Sequence, residues 1–177
     1  MEFRAPITRM LLASDGSTTL LLEALLGLEL HVEVARQELR SAGDLDRGVR
    51  SAIRAGRSDE LLVRHSALRT AEGKIVSRNL VVTDAGSGTP MRGLLRDLDT
   101  PLGRGLIALG VSQSRRLLDW GLADWPLTDE AGAEGAVGTA AGDADLCVYK
   151  AYVLLEEDVP AIYVHERYNP EFVPADR

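Results

Sequence analysis

The sequence predicts an α+β fold: a mainly antiparallel sheet of about five to six strands with flanking helices. Three observations carry this. Leu61 to Arg69 and Lys74 to Thr83 are strand-like runs joined through Ala71-Glu72-Gly73, a hairpin by composition. Cys147 to Leu155 and Ala161 to Tyr168 form a second pair, turned by Glu156-Glu157-Asp158-Val159-Pro160. The helical patterns fall in separate runs, so a strand–helix–strand alternation and its parallel sheet are disfavoured.

Taken in order, Ile7 to Ala13 reads as a short helix, broken by the turn and cap residues Ser14-Asp15-Gly16-Ser17. Leu20 to Leu26 is a second helix, apolar nearly all round and therefore buried. Leu30, Val32 and Val34 alternate with His31, Glu33 and Ala35, a half-buried strand ending near Gln37. Asp44 to Ala55 places Leu45, Val49, Ala52 and Ile53 on one helical face, stopped by Gly56. After the first hairpin and a loop at Ser87 to Pro90, Met91, Leu94, Leu95 and Leu98 take the spacing of an amphipathic helix, which Thr100-Pro101 ends. Gly103 to Gly110 is glycine-rich and compact, Ser112 to Leu122 reads as a helix, and Glu130 to Ala144 as a mobile insertion.

The 177 residues are read as a single domain, spanning 1–177, with enough core to close over a small ligand. A formal charge of −7 argues against nucleic acid as a partner but leaves room for a local arginine pocket that receives an acidic molecule. One cysteine, Cys147, excludes an internal disulfide and suits a reducing cytoplasm. The richest apolar stretch, Leu20 to Leu30, carries Glu23 and Glu29 and falls short of the roughly 20 residues of a membrane span. The expectation is a cytoplasmic protein without a membrane partner, a monomer or weak dimer.

The chemistry centres on Glu166. Ile162, Val164, Glu166 and Tyr168 share one strand face, which places a carboxylate in a row of large apolar side chains. Such a group must be exposed, paired, protonated or used. Arg64 stands similarly between Leu62 and Ser66, and Arg78 between Val76 and Leu80 on the partner strand. Two arginines and a glutamate on one sheet are either a structural ion-pair network or the lining of a pocket for an acidic ligand.

Other motifs carry less. Gly103-Arg104-Gly105 follows a helix and a proline rather than a strand, so it is no dinucleotide loop. His31, His65 and His165 lack metal-ligand spacing, Cys147 opens an apolar strand as an inert thiol would, and capping explains Ser14 and Ser17.

Three separated segments together resemble the chorismate–pyruvate lyase family. They are Leu11-Leu12-Ala13-Ser14-Asp15-Gly16-Ser17-Thr18-Thr19, then Leu62-Val63-Arg64 with Ser77-Arg78 across the hairpin, then Thr100-Pro101-Leu102-Gly103-Arg104-Gly105-Leu106. Ile162 to Asn169 around Glu166 supports them, and the ordered set spans Leu11 to about Val173.

The resemblance implies an antiparallel sheet with an internal ligand cavity and a cofactor-free, metal-free carbon–oxygen lyase. The substrate would be chorismate, and the products pyruvate and a hydroxybenzoate, most simply 4-hydroxybenzoate. Arg64 would hold the ring carboxylate, and Glu166 would assist charge at the departing oxygen as the ring becomes aromatic. Thr18 and Leu102 would contribute backbone N–H groups at the two ends, with Gly103 and Arg78 completing the substrate-binding set. Thr18 replaces a methionine found in a well-known member of that family, and the Glu130 to Ala144 stretch departs from the shorter version. The rival expectation is a non-catalytic domain of the related regulator fold, one that binds an effector or an aromatic acid. Such domains normally follow a DNA-binding winged helix.

Overall fold

The computed structural model describes residues 3–86, 93–110, 114–125 and 146–176. Six strands, β1 (His31–Ser41), β2 (Glu60–Arg69), β3 (Ile75–Asp84), β4 (Ser114–Asp124), β5 (Leu146–Glu156) and β6 (Val159–Tyr168), form one sheet. They pair antiparallel throughout, in the order β1-β2-β3-β6-β5-β4. The helices that lie wholly among the described residues are α1 (Pro6–Ala13), α2 (Thr18–Leu26), α3 (Arg47–Ala52) and α4 (Leu102–Ala108). The architecture is the expected α+β, and no described helix is long and apolar enough to cross a membrane.

Local chemistry sets the element ends. Pro6 opens α1, where its missing N–H costs nothing. The Ser17 hydroxyl accepts from Leu20 N at the start of α2, and Gly27, at φ 68°, closes it in the left-handed region. The β2–β3 turn uses Gly73 at φ 85°. The β5–β6 turn is tighter than a glycine would suggest: Glu157 and Asp158, at φ 50° and 65°, make a two-residue connection between Glu156 and Val159. A register shift between Leu154 and Leu155 then sets Glu166 opposite Lys150.

Four expectations need correction, the first being α2, which is only partly buried and leaves Leu20 and Leu25 exposed. The region expected as a helix over Ser112 to Leu122 is strand β4 from Ser114 onward, with Ser112 outside the described residues. The adjacent leucines Leu117 and Leu118 fall at a bulge between Leu117 and Asp119, and that doubling imitates helical clustering. The amphipathic helix expected from Met91 to Leu98 is α-helical at Gly93, tightens to a 3-10 turn at Leu94–Arg96 and stops before Leu98, with Met91 outside the described residues. There the Asp97 carboxylate accepts from the N–H groups of Asp99 and Thr100, which ends helical bonding and frees the Leu95 carbonyl. The helix expected over Asp44 to Ala55 shrinks to α3, capped by Asp46 and ended before Arg54 at φ 58°. The glycine-rich stretch from Gly103 is helical, as α4. The loop at Ser87 to Pro90 and the Glu130 to Ala144 stretch lie outside the described residues.

Sheet register divides one face into rungs. Leu68, Ser77, Tyr168 and Val148 form one rung, and Arg64, Val81, Val164 and Tyr152 another. Between them lies Ser66–Asn79–Glu166–Lys150, polar in all four places. The outer rungs belong to separate cores. One joins Leu68, Val148 and Tyr168 to Leu11, Leu12 and Leu22 of α1 and α2. The other joins Val81, Tyr152 and Val164 to Leu95 and to Leu106 of α4. A fully buried leucine such as Leu22 contributes about 1.5–3 kcal/mol, so each core clamps its helices firmly while the polar rung gains no such term. The far face carries its own core under α3, built on Leu61, Val63, Val82 and Tyr163.

Candidate ligand pocket

The polar rung opens into a pocket enclosing about 520 Å³ of empty space, counting the part open to solvent. Its floor is Arg64, Ser66, Asn79, Val81, Val164 and Glu166, and α2 and α4 close it with Thr18, Thr19, Leu102, Gly103 and Leu106.

Arg64 is 2% exposed. Its Nε donates to Gln37 Oε1 at 2.6 Å, and its Nη2 donates to the carbonyls of Leu95 and Asp97, the latter at 2.8 Å. These bonds fix the guanidinium and tie the 94–97 segment to the sheet, and none of them uses Nη1. Burial lowers the Arg64 pKa, with the charge of Asp97 acting the other way, but a guanidinium stays cationic even so.

Glu166 is 6% exposed, and its Oε2 accepts from two hydroxyls, Thr18 Oγ1 at 3.0 Å and Tyr168 at 2.8 Å. Tyr168 is fully buried, and burial first, then the charge of Glu166, pushes its phenol well above the ordinary value. It therefore serves as a fixed donor. Behind the site Lys150, 3% exposed, donates to Leu11 O at 3.1 Å and to Ser14 O. Burial lowers its pKa, while the Glu166 carboxylate across the rung raises it. The lysine thus holds the turn between α1 and α2, and the turn presents Thr18 to Glu166.

The α4 segment docks by close approach. A Cβ on Gly103 would stand 2.4 Å from Ser17 Oγ and 3.2 Å from Thr19 Oγ1, so glycine lets this backbone reach α2. Arg104 then clamps the contact from outside by pairing with Glu23 and Glu29.

The structure brings together five of the six residues expected at the site: Thr18, Arg64, Leu102, Gly103 and Glu166 all line the pocket. It does not bring in Arg78. Ala67 opposes Arg78 and Arg64 opposes Val81, so Arg78 projects from the far face, where it lies 5.5 Å from the Trp125 ring centroid. The pattern reading aligned the two arginines by apolar neighbours, but strand register decides the face.

Four residues near the site escaped the sequence reading. Arg115, misassigned to a helix, lines the pocket and sits 5.0 Å from the Tyr152 ring centroid. Tyr152 and Asn79 also line it. Lys150 depended on a hairpin register that a bulge, invisible in composition, determines. The histidines do not converge: His65 and His165 lie on the far face, and no described group of three His, Cys, Asp or Glu is arranged for a metal. Cys147 is buried, and burial pushes its thiol up to about 11.

The geometry defines a fold also seen in solved structures of GntR-family transcriptional regulators. The effector domain of PhnF from Mycobacterium smegmatis matches with a TM-score of 0.59 at 16% identity, over 88% of this chain and 90% of that domain. Full PhnF gives 0.62 at 17%, over 90% of this chain, which spans only 66% of PhnF. The ligand-binding domain of a GntR-family transcriptional regulator from Bordetella bronchiseptica gives 0.55 at 12%, over 81% of this chain and 86% of that domain. Likeness at such identities establishes the fold alone. No protein-family model matches the chain, and no curated protein matches it in sequence.

Proposed function

We propose that this chain is a non-catalytic ligand-binding domain that takes a small organic acid, an aromatic acid by preference, between Arg64 and Glu166. The observation that carries this reading is the commitment of both residues. Arg64 is pinned by Gln37, Leu95 and Asp97 through bonds that do not use Nη1, and Glu166 holds two hydroxyl donors on one oxygen. A carboxylate so arranged is an acceptor held in place, well suited to receive a ligand hydroxyl and poorly suited to deliver a proton. Fixing both ends in advance cuts the ordering cost of binding. The structural neighbours support the same reading, since their names describe effector and ligand-binding domains.

The second reading, a chorismate lyase, draws support from the opposition of Arg64 and Glu166 across one pocket with Thr18 and Leu102 beside them. Two strands and two residues separate Arg64 from Glu166, about 12 Å between Cα atoms, room for one ring between the side chains. One experiment separates the readings. Calorimetric titration with 4-hydroxybenzoate should give saturable one-to-one binding, and chorismate incubated with the protein should release no pyruvate. Pyruvate release with turnover would establish the lyase instead. Absence of binding by 4-hydroxybenzoate and chorismate alike would remove both.

A further inference from the structure

The polar rung contains a group that neither end of the pocket accounts for. Asn79 lies directly across the β3–β6 pairing from Glu166 and lines the pocket floor. Its amide orientation is set from behind: the hydroxyl of Ser77, 1% exposed, donates to Asn79 Oδ1 at 3.1 Å. That bond turns Oδ1 toward Ser77, so the amide NH2, on the other side of the same planar group, points away from it. Glu166 is oriented in the complementary sense: Thr18 and Tyr168 donate to Oε2, the Tyr152 hydroxyl also stands beside the carboxylate, and Oε1 keeps lone pairs with which to accept. One donor and one acceptor therefore stand side by side, from residues whose Cβ atoms in such a pair are about 4.5–5.5 Å apart. Adjacent oxygens on a ring are closer than that, so two side chains can converge on such a pair. The neighbouring rung supplies Val81 and Val164, a flat apolar bed for the ring itself.

We infer that Asn79 is a specificity-determining residue, and that with Glu166 it reads two vicinal oxygens on a ring acid whose carboxylate Arg64 holds. One oxygen donates its hydroxyl proton to Glu166, and its neighbour accepts from Asn79. Ser77 is the positioning residue that keeps the amide turned this way. The inference rests on the acid-binding reading above and adds the substitution pattern of the ring.

The test compares three probes by calorimetry on the intact chain: 4-hydroxybenzoate, 3,4-dihydroxybenzoate with vicinal hydroxyls, and 3,5-dihydroxybenzoate with the same groups apart. One added neutral hydrogen bond predicts that the 3,4-isomer binds roughly threefold to tenfold tighter than the other two. Asn79→Ala should bring the ratio between the 3,4-isomer and 4-hydroxybenzoate to within about twofold, whatever its absolute affinities. Ser77→Ala should lower the ratio in the same direction. Equal affinity of the wild-type chain for the 3,4-isomer and 4-hydroxybenzoate would overturn the inference without touching acid binding, and needs no variant to fold. An unchanged ratio in Asn79→Ala would overturn it as well. Binding of none of the three would overturn the acid-pocket reading and this inference with it.

Discussion

Arg64 and Arg78 stand on adjacent strands of one hairpin, each between apolar neighbours in sequence, and they face opposite ways. Arg64 looks into a pocket closed by helices, with its guanidinium bonded to two main-chain carbonyls and a glutamine. Arg78 looks out of the far face, among Arg167, Trp125 and the Tyr149–His165 stack. The far face is aromatic and self-contained: Tyr149 lies against His165 with ring centroids 5.3 Å apart and donates its hydroxyl to Asp119. The pocket face instead interrupts its apolar packing with a four-residue polar rung. Both faces hold buried polar groups, and on the pocket face they line up beside empty space. A polar group satisfied by its own neighbours is structure, and one held in place with a bonding direction to spare is a site.

The difference can be broken most sharply at Arg64. Arg64→Ala leaves the carbonyls of Leu95 and Asp97 and the amide of Gln37 without their donor, so urea unfolding should show a loss of about 3–5 kcal/mol, with ligand binding abolished. Lysine should not restore either property, because it lacks the planar fork.

The far face has a pH signature of its own. Burial lowers the His165 pKa from 6.5 to about 4, aided by Arg167 and opposed by Asp119. Its folded value lies below its unfolded one, so the neutral ring stabilises fully above pH 6.5, and that contribution falls away as pH drops toward 4. The slope in this window should approach about 1.4 kcal/mol per pH unit, read from urea midpoints. His165→Phe keeps a ring against Tyr149 and should flatten the slope.

Glu166→Gln removes the charge that two hydroxyls point at, at a cost of about 1.5–2 kcal/mol in stability and roughly tenfold in affinity for a hydroxylated acid. Gly103→Ala forces Ser17 Oγ from its place at the α2 cap, and the melting temperature should fall by the equivalent of about 1 kcal/mol. The smallest effect sharpens the comparison from the other side: Arg78→Ala should change affinity for 4-hydroxybenzoate by less than about twofold, because its face is not the pocket's.

Much of the sheet was legible in the chain. Both hairpins, the Ser17 cap and the first two helices follow from turn residues and periodicity close to where the structure has them. Strand β4 was not legible, because Leu117-Leu118 at a bulge breaks the period of two on which a strand is recognised. The helix expected through Leu98 ends early for a tertiary reason: Arg64, distant in sequence, takes the carbonyls that a longer helix would have used. At the site, Glu166 and Arg64 stood out as charges in apolar strands, but Asn79 and Arg115 carried no such contrast.

By itself the sequence determined which segments could be strands and where turns were cheap, and it marked Glu166 as a carboxylate needing an explanation. Those are local properties, written in periodicity and backbone preference within a few residues. Only the tertiary structure decided that Lys150 faces Glu166, that Arg78 does not face Arg64, and that Thr18 and Tyr168 both donate to one carboxylate oxygen. Each depends on register, and a bulge of one residue, nearly neutral in local energy, exchanges the two faces of a strand.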